Sequence, residues 1–248
     1  MPLAAATVFR VFMLLASASG STKHVARLVK AAREWWSGRK IAVIGPTAAG
    51  KDSFLARLQG KPIPEVHSNS AMGEYVRSFR VQIALSHKQT IDITCKGVIN
   101  IGGETDYRDA PSGWLEVCKR ADVVFYVMTV RDLAEKRFLP GGRVREDLDW
   151  LLTVLPHLKH DVMMHILINK VDEEIECHTD YPALAARLSA EIRALDRVVR
   201  KVLHPYDARF TGATLISMKD KKIYTLGLHA ALRAVYSALE GRREGKAA

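Results

Sequence analysis

Residues 45–53 read Gly-Pro-Thr-Ala-Ala-Gly-Lys-Asp-Ser, close to the spacing G-x-x-x-x-G-K-[ST], in which glycines let successive backbone N–H groups curl around an anion. Lys40-Ile41-Ala42-Val43-Ile44 just before it is a short apolar strand, and residues 53–59 read as a helix. Strand, glycine turn and helix are the context such a loop needs, because the helix adds its positive end and Lys51 adds a full cation. Gly45, Pro46, Thr47, Ala48, Ala49, Gly50, Lys51, Asp52 and Ser53 are therefore candidate phosphate contacts. The competing reading is a chance glycine turn.

About 120 residues further on, Asn169-Lys170-Val171-Asp172 follows an apolar strand at 162–168. A carboxylate at Asp172 can accept both the ring N–H and the exocyclic amine of guanine, a donor pair that adenine does not present. The Lys170 stem can lie over a purine, and Asn169 can tie this loop to the phosphate loop. Ser217-Met218-Lys219 follows the last strand, 213–216, and its main chain could read the guanine oxygen. Each short motif by itself is weak, and the last is equally a plain polar turn. Their order and spacing reinforce one another.

With these motifs in place, the chain resembles the Ras-like small GTPases, a superfamily of P-loop GTPases, over roughly residues 39–239. Its character is closest to divergent bacterial members. The resemblance implies an α/β three-layer sandwich with a mostly parallel six-stranded sheet and one antiparallel edge strand. It also implies binding of GTP or GDP with Mg²⁺, slow GTP hydrolysis, switch loops that sense the γ-phosphate, and a protein effector or activator. Carried over residue by residue, phosphate and base contacts fall on 45–53, Gly103, Asn169, Lys170, Asp172, Ser217, Met218 and Lys219. Lys51 and Glu104 become the candidate catalytic residues, and Asp52, Ser53 and Asn100 the candidate magnesium holders.

Three departures separate hydrolysis from binding. Relatives carry Ser or Thr after the loop lysine as a magnesium ligand, and this chain has Asp52 there. That carboxylate could ligate the metal or cap the helix, but it adds negative charge beside the phosphates. The expected D-x-x-G is Asn100-Ile101-Gly102-Gly103, which keeps an oxygen and loses a charge, and Glu104 follows where a water-orienting glutamine is common. No threonine lies between Phe54 and Gln89, which leaves Ser68 or Ser70 to sense the γ-phosphate. Arg77, Arg108 and Arg131 are the basic residues considered for a cis arginine. Two outcomes stay open: a slow switch, or a pseudo-GTPase that holds nucleotide as an assembly module.

Positioning these residues requires a strand–helix alternation, read here as a parallel sheet covered on both faces. A hairpin is expected at 77–85 and 90–101 with a turn at 86–88, after an irregular stretch at 61–75. Further strands are expected at 122–130, 162–168 and 213–216, and helices at 146–158, 182–203 and 225–239. The last helix offers Leu226, Leu228, Ala231, Leu232, Val235 and Leu239 to the core. The expected organisation is an N-terminal helical extension at 1–38, a GTPase domain at 39–240 and a charged, unstructured tail at 241–248.

Composition bounds the rest. With 48% hydrophobic and 26% charged residues the chain is an ordinary globular protein. A net charge of +10 favours anionic partners, yet the basic residues are dispersed, so nucleic acid is disfavoured. Cys95, Cys118 and Cys177 lack the spacing of a zinc site or disulfide framework, which points to a reducing cytoplasm. Residues 3–19 are apolar but interrupted by Arg10, marginal for spanning a membrane, and 23–36 read as an amphipathic helix. The extension could pack on the domain or a partner, lie on the inner face of a membrane, or serve as a signal or spanning segment.

Overall fold

The computed structural model describes residues 39–63, 74–76, 79–86, 89–95, 97–100, 106, 108 and 113–247, with side chains described for 39–63, 106, 108 and 113–238. The expected extension at 1–38, Ser68, Ser70, Gly103 and Glu104 lie outside the described residues. No helix among the described residues is long and apolar enough to cross a membrane.

Strand β1 (Lys40–Ile44) puts four buried residues behind one exposed lysine and leads through the glycine loop into helix α1 (Lys51–Leu58). Four strands follow: β2 (Glu74–Val76), β3 (Phe79–Ser86), β4 (Gln89–Cys95) and β5 (Gly97–Asn100). Helix α2 (Trp114–Arg120) precedes strand β6 (Val123–Thr129), which runs straight into α3 (Val130–Ala134) and then α4 (Arg143–Val154). Strand β7 (Met163–Asn169), helices α5 (Tyr181–Arg187) and α6 (Ser189–Leu203), strand β8 (Phe210–Leu215) and helix α7 (Lys221–Ala247) complete the order.

The sheet runs β2-β5-β1-β6-β7-β8. β1, β6, β7 and β8 are parallel, β5 joins parallel to β1, and short β2 lies antiparallel at the edge. The α/β class and the mostly parallel sheet expected from the sequence are present. The pairings Val76↔Val98 and Phe79↔Cys95 share one register, and β3 and β4 form a separate two-stranded antiparallel sheet.

Alternate residues of the central strands face two separate cores. Ala42, Ile44, Val124, Tyr126, Ile166 and Ile168 pack under α2, α4 and α6. Ile41, Val43, Phe125, Val127 and Leu167 pack under α1 and α7. With both faces covered, these strands read as unbroken apolar runs instead of alternating ones.

One polar residue interrupts the second face. His165 is buried, with Nδ1 2.8 Å from Thr211 Oγ1 and Nε2 2.8 Å from Thr214 Oγ1. Burial pushes its pKa down to about 3. A histidine neutral in the fold and protonated in the unfolded chain lets the unfolded state bind more protons below about pH 6.5, so stability falls on acidification. Urea unfolding at pH 7 and pH 5 should show His165 contributing a loss of about 2 kcal/mol over that interval. A His165→Phe variant should lack that share of the slope, and identical slopes would refute it.

Four expectations need correction. The final helix starts at Lys221 and runs to Ala247, so 241–247 is helical and not an unstructured tail. Ala, Glu, Arg and Lys propagate a helix readily once its first turns are fixed by packing. Leu226 is exposed, and the inward face is Ile223, Tyr224, Leu228, Ala231, Leu232 and Val235. The helix expected at 182–203 is two, broken at Leu188 (φ −84°, ψ 1°). The buried positions Leu184, Leu188, Leu195, Val199 and Val202 keep helical spacing through the break, which hides it from periodicity. Helix α4 begins at Arg143 and becomes a 3₁₀ turn at Leu155–His157, where Pro156 removes a donor and ends the α-helical ladder.

Candidate functional site

The three motif loops leave the C-terminal ends of β1, β7 and β8, the edge where open parallel sheets gather ligand-binding residues. In the first, the chain turns through left-handed conformations at Gly45 (φ 140°), Ala48 (φ 60°) and Gly50 (φ 95°). A Cβ on Gly45 would lie 2.1 Å from the Val127 carbonyl oxygen, and one on Gly50 would lie 2.2 Å from Asn169 Nδ2. Both glycines are required by geometry as well as φ. The close approaches fasten the 45–50 loop to β6 and to the end of β7.

Gly50 is the N-cap of α1 and has no capping side chain, so no side chain of the cap residue covers the amides of the first turn, a ready anion site. Asp52 and Ser53 occupy the second and third helical positions and are half-buried. Asp52 is therefore not the N-cap residue itself. Its carboxylate lies in the first turn, where the helix dipole favours it. Lys51 is 7% exposed, and its ammonium donates to the Pro46 carbonyl at 2.9 Å. Burial lowers its pKa to about 8 against the opposing pull of Asp52 and Asp147, while Arg143 adds to the lowering. An anion in the loop offers that ammonium a better partner than a neutral carbonyl.

Asn169 is 2% exposed and bridges two loops. Its Nδ2 donates to the Ala49 carbonyl at 2.9 Å, and its Oδ1 accepts from the Met218 amide at 3.1 Å. The tie to the loop at 45–50 is the one the sequence suggested; the second tie was not anticipated. Met218, buried, thus commits its amide to Asn169. Lys170 adopts a left-handed conformation (φ 67°) and sits 3.7 Å from Glu173. Asp172 is half-buried, and its Oδ1 accepts the Ser217 hydroxyl proton at 2.5 Å. A carboxylate has two oxygens and about four lone-pair sites, so Asp172 keeps acceptors free. Lys219 is exposed. Asn100 closes β5, with its neighbour in register on β1 being Val43.

Two features escaped the sequence reading. Arg57 on α1 reaches the Ser217–Lys219 loop, and Asp147 on α4 is completely buried among charged partners. Arg108 Nε donates to Asp147 Oδ1 at 2.9 Å, with Nη2 closer still. Tyr126 Oη donates to Oδ2 at 2.7 Å, and Arg143 Nε lies 3.2 Å from both oxygens. Nothing in the sequence marks Arg57. Asp147 did carry a signal, since it shares the helical stripe of Val144, Leu148 and Leu151. Of the arginines considered for a cis role, Arg108 is tied to Asp147 and Arg131 is paired with Glu135 at 76% exposure. Arg77 lies outside the described residues.

Among the described residues, no group of three or more His, Cys, Asp or Glu side chains converges on a metal position. Magnesium at a phosphate loop is held largely by phosphates and water, so a protein cage is not what the reading requires. Of the residues suggested for it, Asp52 and Ser53 lie in the first turn of α1, beside the lysine of the loop. No protein-family model matches the chain, and no curated protein matches it.

Proposed function

We propose that this chain is a divergent P-loop GTPase of the Ras-like type that binds GTP or GDP and hydrolyses GTP slowly. The observation that carries the reading is Asn169, a buried side chain hydrogen-bonded to both the phosphate loop and the Ser217–Lys219 loop. It makes one continuous rim out of three segments that are far apart in the chain. In this reading the amides and Lys51 hold the phosphates. Asp172, oriented by Ser217, accepts the two guanine donors, and the Lys170 stem lies along the purine. The Met218 amide, which donates to Asn169, is shared with the guanine oxygen as a three-centre bond.

Magnesium, when bound with nucleotide, neutralises phosphate charge; Asp52, Ser53 and Asn100 are the residues proposed to hold it, and Glu104 is proposed to orient water. The pseudo-GTPase reading has one observation in its favour. A carboxylate, Asp52, occupies the first turn of α1 where a magnesium-ligating hydroxyl is expected. A protein effector or activator, a cytoplasmic location and contact of residues 1–38 with a membrane surface belong to the same proposal.

Displacement titrations with fluorescent GDP test it. Binding should favour GDP over ADP by about 100-fold or more, because a site built to pair polar groups strongly rejects a ligand that leaves them unpaired. Asp172→Ala should erase most of that preference. Equal affinity for GDP and ADP in the wild type would sink the guanine reading. Repeating the titration in excess chelator, and following phosphate release by wild type, Glu104→Gln and Asp52→Ser, separates the slow switch from the pseudo-GTPase.

A further inference from the structure

Arg57 touches neither of the loops proposed to hold phosphates or Asp172, yet its contacts reach Asp172. Its Nε donates to the Met218 carbonyl and its Nη2 to the Lys219 carbonyl, both at 2.7 Å. These carbonyls belong to the two peptide units whose N–H groups are those of Lys219 and Asp220. Both N–H groups donate to Ser217 Oγ, at 3.2 and 2.9 Å. Ser217 Oγ then gives its single proton to Asp172 Oδ1 at 2.5 Å. A hydroxyl has one proton and two lone pairs, and here both lone pairs face amides. Only one direction is left for the proton, the one towards Asp172.

The guanidinium suits this position. Its planar fork can hold two adjacent carbonyls at once, and its charge strengthens the bonds it makes. Hydrogen bonds linked through a peptide unit polarise one another, so pulling on each carbonyl sharpens the N–H on its far side. Ser217 itself is buried, whereas the Arg57–Lys219 bond is exposed.

We infer that Arg57 is a positioning residue for base selection. Through two peptide units it fixes the Ser217 hydroxyl, and through that hydroxyl it fixes the Asp172 carboxylate in the orientation that reads the guanine amine and ring N–H. This rests on the guanine reading proposed above and adds a determinant on a different element, the helix that follows the phosphate loop. The same chain of bonds links α1, the helix after residues 45–50, to the Asp172 carboxylate.

The test compares GDP with IDP, which lacks only the 2-amino group, on the full chain. Arg57→Met should weaken GDP about tenfold and IDP about two- to threefold, so the GDP-to-IDP preference shrinks. Arg57→Lys, which keeps the charge without the fixed fork, should give an intermediate preference and carries the test if the methionine variant does not fold. Ser217→Ala should shrink the preference similarly, and adding Arg57→Met to it should shrink it little more, since both act through one hydroxyl. Equal weakening of both nucleotides, or an unchanged ratio, overturns the inference, because a merely structural tie moves both affinities together. A wild type that does not prefer GDP over ADP overturns the guanine reading and this inference with it, an outcome visible before any variant is made.

Discussion

Asp147→Ala is expected to lower the free energy of unfolding by about 3–5 kcal/mol, the range seen when one member of a buried ionic cluster is removed. Asp147 is fully buried and serves two guanidinium groups and a phenol. Without it, Arg108 and Arg143, both largely shielded from solvent, lose the buried carboxylate they share, although Glu146 still lies 3.8 Å from Arg108. The Tyr126 hydroxyl also loses its acceptor. Its pKa is raised by burial first and by the Asp147 charge next, which marks a phenol that stays neutral and must donate.

Asp147→Asn keeps an acceptor and the volume, so its loss should fall between wild type and alanine. Replacing Asp147, Arg108 and Arg143 together by methionine should recover part of the alanine loss, because an apolar cluster of similar volume needs no charge compensation. Urea unfolding followed by circular dichroism measures all of these. A loss below about 1 kcal/mol for Asp147→Ala, the scale of an exposed ion pair, would show that solvent already screens the cluster. The same carboxylate favours the charged form of Lys51, so its removal should also weaken phosphate binding.

Asn169→Ala is the second large effect, about 2–4 kcal/mol of stability in the absence of any nucleotide. The substitution leaves the Ala49 carbonyl and the Met218 amide without the partner they have now, and an orphaned buried group costs about 1–3 kcal/mol. Asn169→Asp discriminates between this account and simple loss of volume. It keeps an acceptor for the Met218 amide but sets a carboxylate oxygen against the Ala49 carbonyl, in a position where only 2% of the residue is exposed. The aspartate variant should therefore be no more stable than the alanine one. An aspartate variant as stable as wild type would mean that Nδ2 contributes nothing. In the proposed function nucleotide affinity should fall in both variants, since Asn169 no longer ties Ala49 to Met218.

Much of the site was legible because its chemistry is carried by contiguous residues. The glycine turn at 45–50 was legible from its glycine spacing, and the left-handed φ values at Gly45 and Gly50 supply the conformational reason. Asn169 and Asp172 were legible from their place at the end of an apolar run. That Asp52 follows Lys51 was visible, but not that Gly50 holds the cap position. Helix ends were misplaced where one residue decided them. Leu188 breaks a helix inside an unbroken apolar stripe, and Pro156 converts the end of α4 to a 3₁₀ turn.

The sequence by itself determined the local elements and the class of fold. Apolar runs without alternation demand a sheet buried on both faces, and the intervening helical stretches require parallel connections between strands. It also fixed which residue types stand in each loop. The tertiary structure decided which loops touch. Asn169 meets Ala49 and Met218, Arg57 meets the carbonyls of Met218 and Lys219, and Arg108 meets Asp147. Each of these bonds joins residues tens to more than a hundred positions apart. Their existence depends on the strand order β5-β1-β6-β7-β8, which sets β1 and β7 on either side of β6 with the three motif loops along one edge. Periodicity and spacing report how a segment folds onto its own neighbours, whereas the partner across the sheet is chosen by how all the strands share two buried faces.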